Sequence, residues 1–392
     1  MGRIIVFTGK GGVGKTSTAA AHALKASREG INTLIVSTDM AHNLSDIFET
    51  DVKKEPTEIR PNLWTLEIDP NHEMENSLGV IKNTISNMMK FNNENDAETF
   101  EDIMVFPGME ELFSLLKIKE LYEKNIYDLI IVDCAPTGET LALLKFPELL
   151  SWYVEKFFPI ERVVLKVLRP IGKAFFKIEL PDKKTMNDIE KLYYKLFELQ
   201  ELLKNNEICS IRLVTIPEKM IVEETKRNYM YLNLYNFNVD AVYINRVIPD
   251  NIENSFFDGW KEIQMKYTNE LRAIFGSMPI YNIKWYEVDV VGMGGLERIV
   301  DDSLDDKDIF KVLKKTANER FQKIDSGYKL EVYVPFTDKS NLDMYESNSD
   351  IIIKLGNFKR SIPMPDVMKK YFISTAKFVD NYLCIYFEEK VN

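Results

Sequence analysis

The run Gly9-Lys10-Gly11-Gly12-Val13-Gly14-Lys15-Thr16 has the residue types and spacing needed to hold a polyphosphate. Glycines at its first and sixth positions let backbone N–H groups curl around a phosphate, Lys15 reaches the outer phosphates, and the Thr16 hydroxyl is a hard-oxygen ligand for Mg²⁺. The second lysine, Lys10, has no duty in that scheme. On the outward side of the loop it can serve phosphates held by a neighbouring subunit, which predicts a dimer with nucleotide at its seam. Two carboxylates join the set: Asp39 and Asp133 end the apolar runs 33–38 and 129–132. An acid beside Mg²⁺ and a triphosphate either holds the metal's water shell or orients an attacking water. Asp133 follows its run directly, as a water-mediated Mg²⁺ ligand should, and Asp39 opens the glycine-free segment 39–46, which reads as a switch. Taken singly, either Asp serves equally well as a helix cap at a strand-to-helix turn.

The flanks of the loop fit its chemistry. Residues 4–8 read as a short buried parallel strand. Residues 16–28 read as an alanine-rich helix with Ala19, Ala20, Ala23 and Leu24 on one face and Gly30 as its stop. Further apolar runs at 63–68, 211–216, 241–244 and 278–283 alternate with helical segments. The alternation predicts an α/β fold with a mostly parallel sheet covered on both faces and ligands at the carboxyl ends of its strands, where Asp39 and Asp133 stand. A length of 392 residues exceeds one ordinary core and predicts two or three domains.

A net charge of −11, with acidic residues spread along the chain, argues against a nucleic-acid surface. The chain runs straight into its first strand, and no apolar run reaches the length of a membrane span, so a cytoplasmic location is expected. Cys134, Cys209 and Cys384 lie far apart without paired spacing, and only His22, His42 and His72 accompany them. No zinc site is expected, and reduced thiols are.

The segments KGGVGKT, STDMAHNLSDIFE, DCAPTGETLALLKFPE, IPEKMIVEETKR and INRV resemble, in that order, the arsenite-pump ATPase family and its relatives that deliver tail-anchored membrane proteins. The resemblance runs from about residue 3 to residue 300. It implies a P-loop NTPase fold and a homodimer that closes around two ATP molecules with Mg²⁺ and opens after hydrolysis. Carried over residue by residue, it implies nucleotide contacts along Gly9, Lys10, Gly11, Gly12, Val13, Gly14, Lys15, Thr16 and Ser17, with Lys10 crossing to the partner's nucleotide. It further implies that Asp39 positions the hydrolytic water and that Thr16, Asp39 and Asp133 surround Mg²⁺, partly through water. Residues Pro136, Thr137 and Gly138 match a hinge that senses the γ-phosphate. Glu218 and Asn245 match nucleoside contacts, the Asn reading the adenine edge through its paired donor and acceptor, and Pro279 borders the base. The chain departs from the pattern too. It has neither the Cys-x-x-Cys pair that binds zinc across the dimer in tail-anchored-protein relatives nor the cysteine trio of the arsenite pumps, and Met40 stands where the family usually shows Pro.

An ATPase domain is expected over residues 1–325, with helical insertions near 72–124 and 145–205. Met88, Met89, Phe91, Met104, Phe106, Met109, Leu112 and Phe113 in the first, and the apolar run 152–176 in the second, suit either an ordinary core or an adaptable groove for a hydrophobic helix. After residue 325 the period changes to alternation, with short runs at 328–335, 350–355, 358–364, 375–379 and 382–387. Residues 326–392 therefore read as a small β-sandwich, and their order resembles the α-crystallin-like (Hsp20-like) domain appended to some family members. It serves either as a structural appendage or as a client-contacting module.

Together these features predict a dimeric, Mg²⁺-dependent ATPase whose cycle opens and closes a hydrophobic client-binding helical subdomain, a targeting factor or chaperone for membrane-protein segments. The alternative is the catalytic ATPase subunit of an arsenite or other anion efflux pump with a membrane partner protein. A third class is a nucleotide-switched scaffold.

Overall fold

The computed structural model describes residues 2–38, 43–69, 72, 109–134, 188–305, 307–316, 318–337, 342–347, 350–356, 358–364, 368 and 370–389. Eight strands form one sheet in the order β3-β4-β2-β5-β1-β6-β7-β8. Their ranges are β1 Arg3–Thr8, β2 Thr33–Ser37, β3 Thr57–Arg60, β4 Leu63–Glu67, β5 Leu129–Asp133, β6 Cys209–Thr215, β7 Val239–Val247 and β8 Ile280–Lys284. All neighbours run parallel except β3, which pairs antiparallel with β4. The strands β2, β5 and β6 are buried at every residue, as expected for a parallel sheet covered on both faces. The expected mostly parallel α/β sheet is thus observed, and β3 is an addition, its polar sequence Thr-Glu-Ile-Arg giving no apolar run to find.

Side-chain alternation along β1 divides the core. Ile5 and Phe7 face a layer built from α1 (Lys15–Arg28), α2 (Asn43–Phe48) and α7 (Gly292–Ile299). The alanines of α1 are 0% exposed, and their small volume lets the helix press against the strands. Ile4 and Val6 face the other layer, made by α3 (Met109–Glu123), α4 (Asp188–Lys204), α5 (Lys219–Leu234) and α6 (Asp258–Phe275). Leu112 and Phe113, two of the apolar insertion residues, are buried in that layer's α3, so at these positions the side chains serve core packing. Met109 opens the same helix, and the insertion positions 88, 89, 91, 104, 106 and 152–176 lie outside the described residues.

Seven strands follow: β9 Glu319–Ile324, β10 Gly327–Tyr333, β11 Leu342–Ser347, β12 Asp350–Leu355, β13 Phe358–Pro363, β14 Tyr371–Val379 and β15 Tyr382–Glu389. They form two antiparallel sheets, β14-β15-β10-β9 and β11-β12-β13. Five of them match the alternating runs; β9 and β11 do not, being polar strands at sheet edges. Their apolar faces join the same core as α5: Tyr231 stacks on Phe358 with ring centroids 3.5 Å apart, the Tyr235 hydroxyl donates to the Lys359 carbonyl at 3.0 Å, and Arg360 bridges the Leu234 carbonyl and Glu319.

The connection between the two parts is sewn across the sheet by buried and half-buried side chains. Lys25 donates to the Asp305 carbonyl, Arg212 to that of Ile309 and Arg3 to that of Phe310. Asp240 accepts from the Leu313 N–H, and Asn238 both donates to Lys314 and accepts from Thr316.

Candidate functional site

The loop between β1 and α1 lies at the carboxyl edge of the central strand, and its glycines have separate reasons to be there. A side chain on Gly9 would land on the Val214 carbonyl, and one on Gly14 on the Asn245 amide, whereas Gly11 and Gly12 face open space. Gly12 (φ 80°) and Gly14 (φ 89°) adopt left-handed backbone that turns successive N–H groups to one side. Val13, fully buried, anchors the loop into the α1 layer of the core. Thr18 ties the first turn of α1 back to the loop: its N–H and hydroxyl both donate to the Gly14 carbonyl, at 3.1 and 2.8 Å.

The two lysines are placed differently. Lys15 is buried, its ammonium donating to the Lys10 carbonyl at 3.4 Å, so it lies across the inside of the loop. The Lys10 side chain stands at the rim and pairs with Glu224, on the second turn of α5, at 3.2 Å. Glu224 was not legible as a partner, since nothing local in the sequence links it to the loop.

Asp133 closes the site from β5. Its carboxylate accepts the Thr16 hydroxyl at 2.7 Å, and it is 1% exposed. A hydroxyl and a carboxylate in contact, both hard oxygens at the foot of a polyphosphate cradle, form a donor set that fits Mg²⁺. Neighbouring strands are tied here by backbone bonds, Thr38 N–H to the Asp133 carbonyl and Cys134 N–H to the Phe7 carbonyl. Asp39 and residues 136–138 lie outside the described residues. Just beyond Asp39, Glu67 on β4 accepts the Leu44 and Ser45 N–H groups at 3.0 Å each and fixes the start of α2. This capping carboxylate also escaped the sequence reading.

Asn245 and Glu218 come to the same edge of the sheet but do different things. Asn245, at the end of β7, donates from Nδ2 to the Val13 carbonyl and accepts the Arg246 N–H on Oδ1, both at 2.9 Å. Glu218, preceding α5, lines a cavity of about 290 Å³ with Arg246, Phe257, Trp260 and Trp285. Pro279 sits elsewhere, at the start of β8, where its carbonyl accepts the Val242 N–H; it does not line that cavity.

Behind α1 runs a buried polar chain. Arg212 donates to Asp240 at 3.2 Å and to the Tyr243 hydroxyl at 3.4 Å, Tyr243 donates to His22 Nε2 at 2.8 Å, and His22 Nδ1–H donates to the Thr18 carbonyl at 2.7 Å. The Thr18 carbonyl can only accept, which fixes the tautomer. Burial, then the Arg212 guanidinium, hold the His22 pKa well below its ordinary value, so the ring is neutral.

The Anion-transporting ATPase family model matches residues 2–305. The chain belongs to that family. A second family model, the HSP20-like domain found in ArsA, matches residues 325–387. The chain is 33% identical over 395 residues to "Putative arsenical pump-driving ATPase 1" of Aquifex aeolicus, covering 98% of this chain and 99% of that protein. It is 32% identical over 389 residues to "Putative arsenical pump-driving ATPase" of Chlorobaculum tepidum, covering 98% and 96%. The "ATPase ASNA1 homolog 1" of Paramecium tetraurelia is 28% identical over 305 residues, covering 76% and 91%. The resemblance read from the five motifs is borne out, and the chain is an ATP hydrolase of this family with a C-terminal HSP20-like domain. Among the described residues, no helix is long and apolar enough to cross a membrane.

Proposed function

We propose that the protein works as a homodimeric, Mg²⁺-dependent ATPase in which each Lys10 reaches the partner's triphosphate, and that hydrolysis opens and closes a hydrophobic site on the helical segments. The observation that carries this reading is the division of labour between the lysines: Lys15 is buried across the loop, while Lys10 stands at its rim on a carboxylate it can exchange for phosphate. In this reading the loop N–H groups and Lys15 bind the β- and γ-phosphates, and Thr16 and Asp133 hold Mg²⁺, Asp133 through water. Mg²⁺ bound there would neutralise charge that develops on the phosphate oxygens. Asp39 orients the attacking water, Glu218 serves the ribose side, and loss of the γ-phosphate releases the switch segments. Pro279 keeps only a distant place, since it precedes the five residues of β8, whose far end is the ligand edge.

A second reading, the ATPase subunit of an arsenite or anion efflux pump with a membrane partner, is favoured by the full-length alignment with relatives of that name. The three cysteines sit apart, Cys134 past the end of β5, Cys209 at the start of β6 and Cys384 on β15, which gives a soft metalloid no shared thiol site from this chain.

Light scattering of the wild type and of Lys10→Ala with ATP and Mg²⁺ tests the dimer: the wild type should double in mass and the variant should not. Persistence of a wild-type monomer refutes it. The Asp39→Asn protein, held in ATP, should retain an apolar helical peptide. Stimulation of wild-type turnover by arsenite would establish the pump reading instead.

A further inference from the structure

We infer that α5 links the phosphate loop mechanically to the HSP20-like sheets, an inference that rests on the reading that Lys10 exchanges Glu224 for phosphate. When Lys10 leaves, the far end of the helix loosens its hold on the edge strand β13.

Different parts of the chain grip α5 at its two ends. In the second turn Glu224 pairs with Lys10 at 3.2 Å. In the last turn Tyr231 stacks on Phe358 with ring centroids 3.5 Å apart, and the Leu234 carbonyl accepts from Arg360. Just past the helix the Tyr235 hydroxyl donates to the Lys359 carbonyl at 3.0 Å. Phe358, Lys359 and Arg360 are consecutive residues of β13, and Arg360 also pairs with Glu319 of β9, so both sheets are fastened to this one helix end. The strand β13 ends its sheet and has β12 as its one strand neighbour, so its stability leans on the helix as well.

Between the grips the helix has a seat. Val222 is fully buried, and the Thr225 hydroxyl meets that of Thr215, the last residue of β6, at 2.9 Å. Glu224 and Leu234 lie about 15 Å apart along the axis at 1.5 Å per residue, and backbone hydrogen bonds keep that length stiff. Coupling over such a distance is carried by rigid elements whose contacts have two discrete arrangements. Here the two are Lys10 on Glu224 and Lys10 on phosphate. In the second, Glu224 loses that cation and faces a triphosphate of its own sign, so the first half of α5 is released from the loop. The helix then rocks on its seat, and the change is felt at Tyr231 and Leu234. Loss of a pair as exposed as Lys10 and Glu224 shifts an opening equilibrium by about two- to fivefold.

The test is hydrogen exchange in the full chain, read on peptides from β13, with and without Mg²⁺ and a non-hydrolysable ATP analogue. In the wild type the analogue should speed exchange there by about two- to fivefold. Glu224→Gln should show the faster exchange before any nucleotide is added, and the analogue should add nothing. Tyr231→Ala should remove most of the response while calorimetry shows the analogue bound. Tyr231→Phe, which keeps the stacked ring, should restore it and so exclude a folding defect. An unchanged β13 in the wild type with analogue bound, or a full response in Glu224→Gln or Tyr231→Ala, overturns the link. Failure of the Lys10 reading is a separate result, since the analogue would then bind Lys10→Ala as tightly as the wild type.

Discussion

Replacing Glu224 with glutamine removes the charge that holds Lys10 and leaves a side chain of the same shape. At 3.2 Å the bare attraction between the two is about 1 kcal/mol in water and about 5 kcal/mol at the dielectric of a protein surface. The side chains are 38% and 26% exposed, and pairs so placed contribute about 0.2–1 kcal/mol once desolvation and ordering are included. If Lys10 must leave Glu224 to meet a phosphate, that amount opposes nucleotide-driven assembly. Glu224→Gln should then lower the half-saturating ATP concentration by up to about fivefold, with little change in kcat. Salt should mimic the substitution: near 1 M ionic strength the screening length falls to about 3 Å, so the wild type should approach the variant while the variant barely moves. Steady-state ATPase titrations at low and high salt read both effects. A variant that needs more ATP than the wild type would mean that Glu224 positions Lys10 for its task, and the restraint proposed here would be wrong.

Gly14→Ala forces a side chain into left-handed backbone and onto the Asn245 amide; the backbone alone costs about 1–2 kcal/mol, so calorimetric ATP affinity should fall at least about tenfold. Asp240→Asn strips a buried charge from Arg212 and should lower stability to urea by about 3–5 kcal/mol. Because the folded His22 pKa is depressed, the unfolded chain takes up a proton below about pH 6.5 that the folded chain refuses. His22 therefore contributes fully above that pH, and stability declines as pH falls toward the depressed value, by up to about 1.4 kcal/mol per pH unit. His22→Gln should flatten that part of a stability-against-pH curve.

What could be read in advance followed local rules. The central strands are apolar runs, and the phosphate loop carries glycines required by the close approach of the Val214 carbonyl at Gly9 and by left-handed backbone at Gly12 and Gly14, so both stand out in one dimension. The strands β9 and β11, Glu-Arg-Phe-Gln-Lys-Ile and Leu-Asp-Met-Tyr-Glu-Ser, lie at sheet edges and keep charged residues toward solvent, which hides their alternation. The duty of Asn245 depends on a carbonyl 232 residues away, and that of Glu224 on a loop reached only through the fold. One signal was present and passed over: Arg212 interrupts the wholly buried strand β6, and a buried guanidinium requires a carboxylate, which Asp240 supplies from β7.

The seam formed by residues 305–316 decides where the protein can be shortened. The Anion-transporting ATPase match stops at residue 305, but a chain severed there would deprive Arg212, Asp240 and Asn238 of the main-chain groups they grip. The catalytic half is complete only with a hem that reaches Asn318, whose amide clasps the Phe237 carbonyl at the foot of α5. The HSP20-like part is accordingly carried as a fixed attachment, not on a leash.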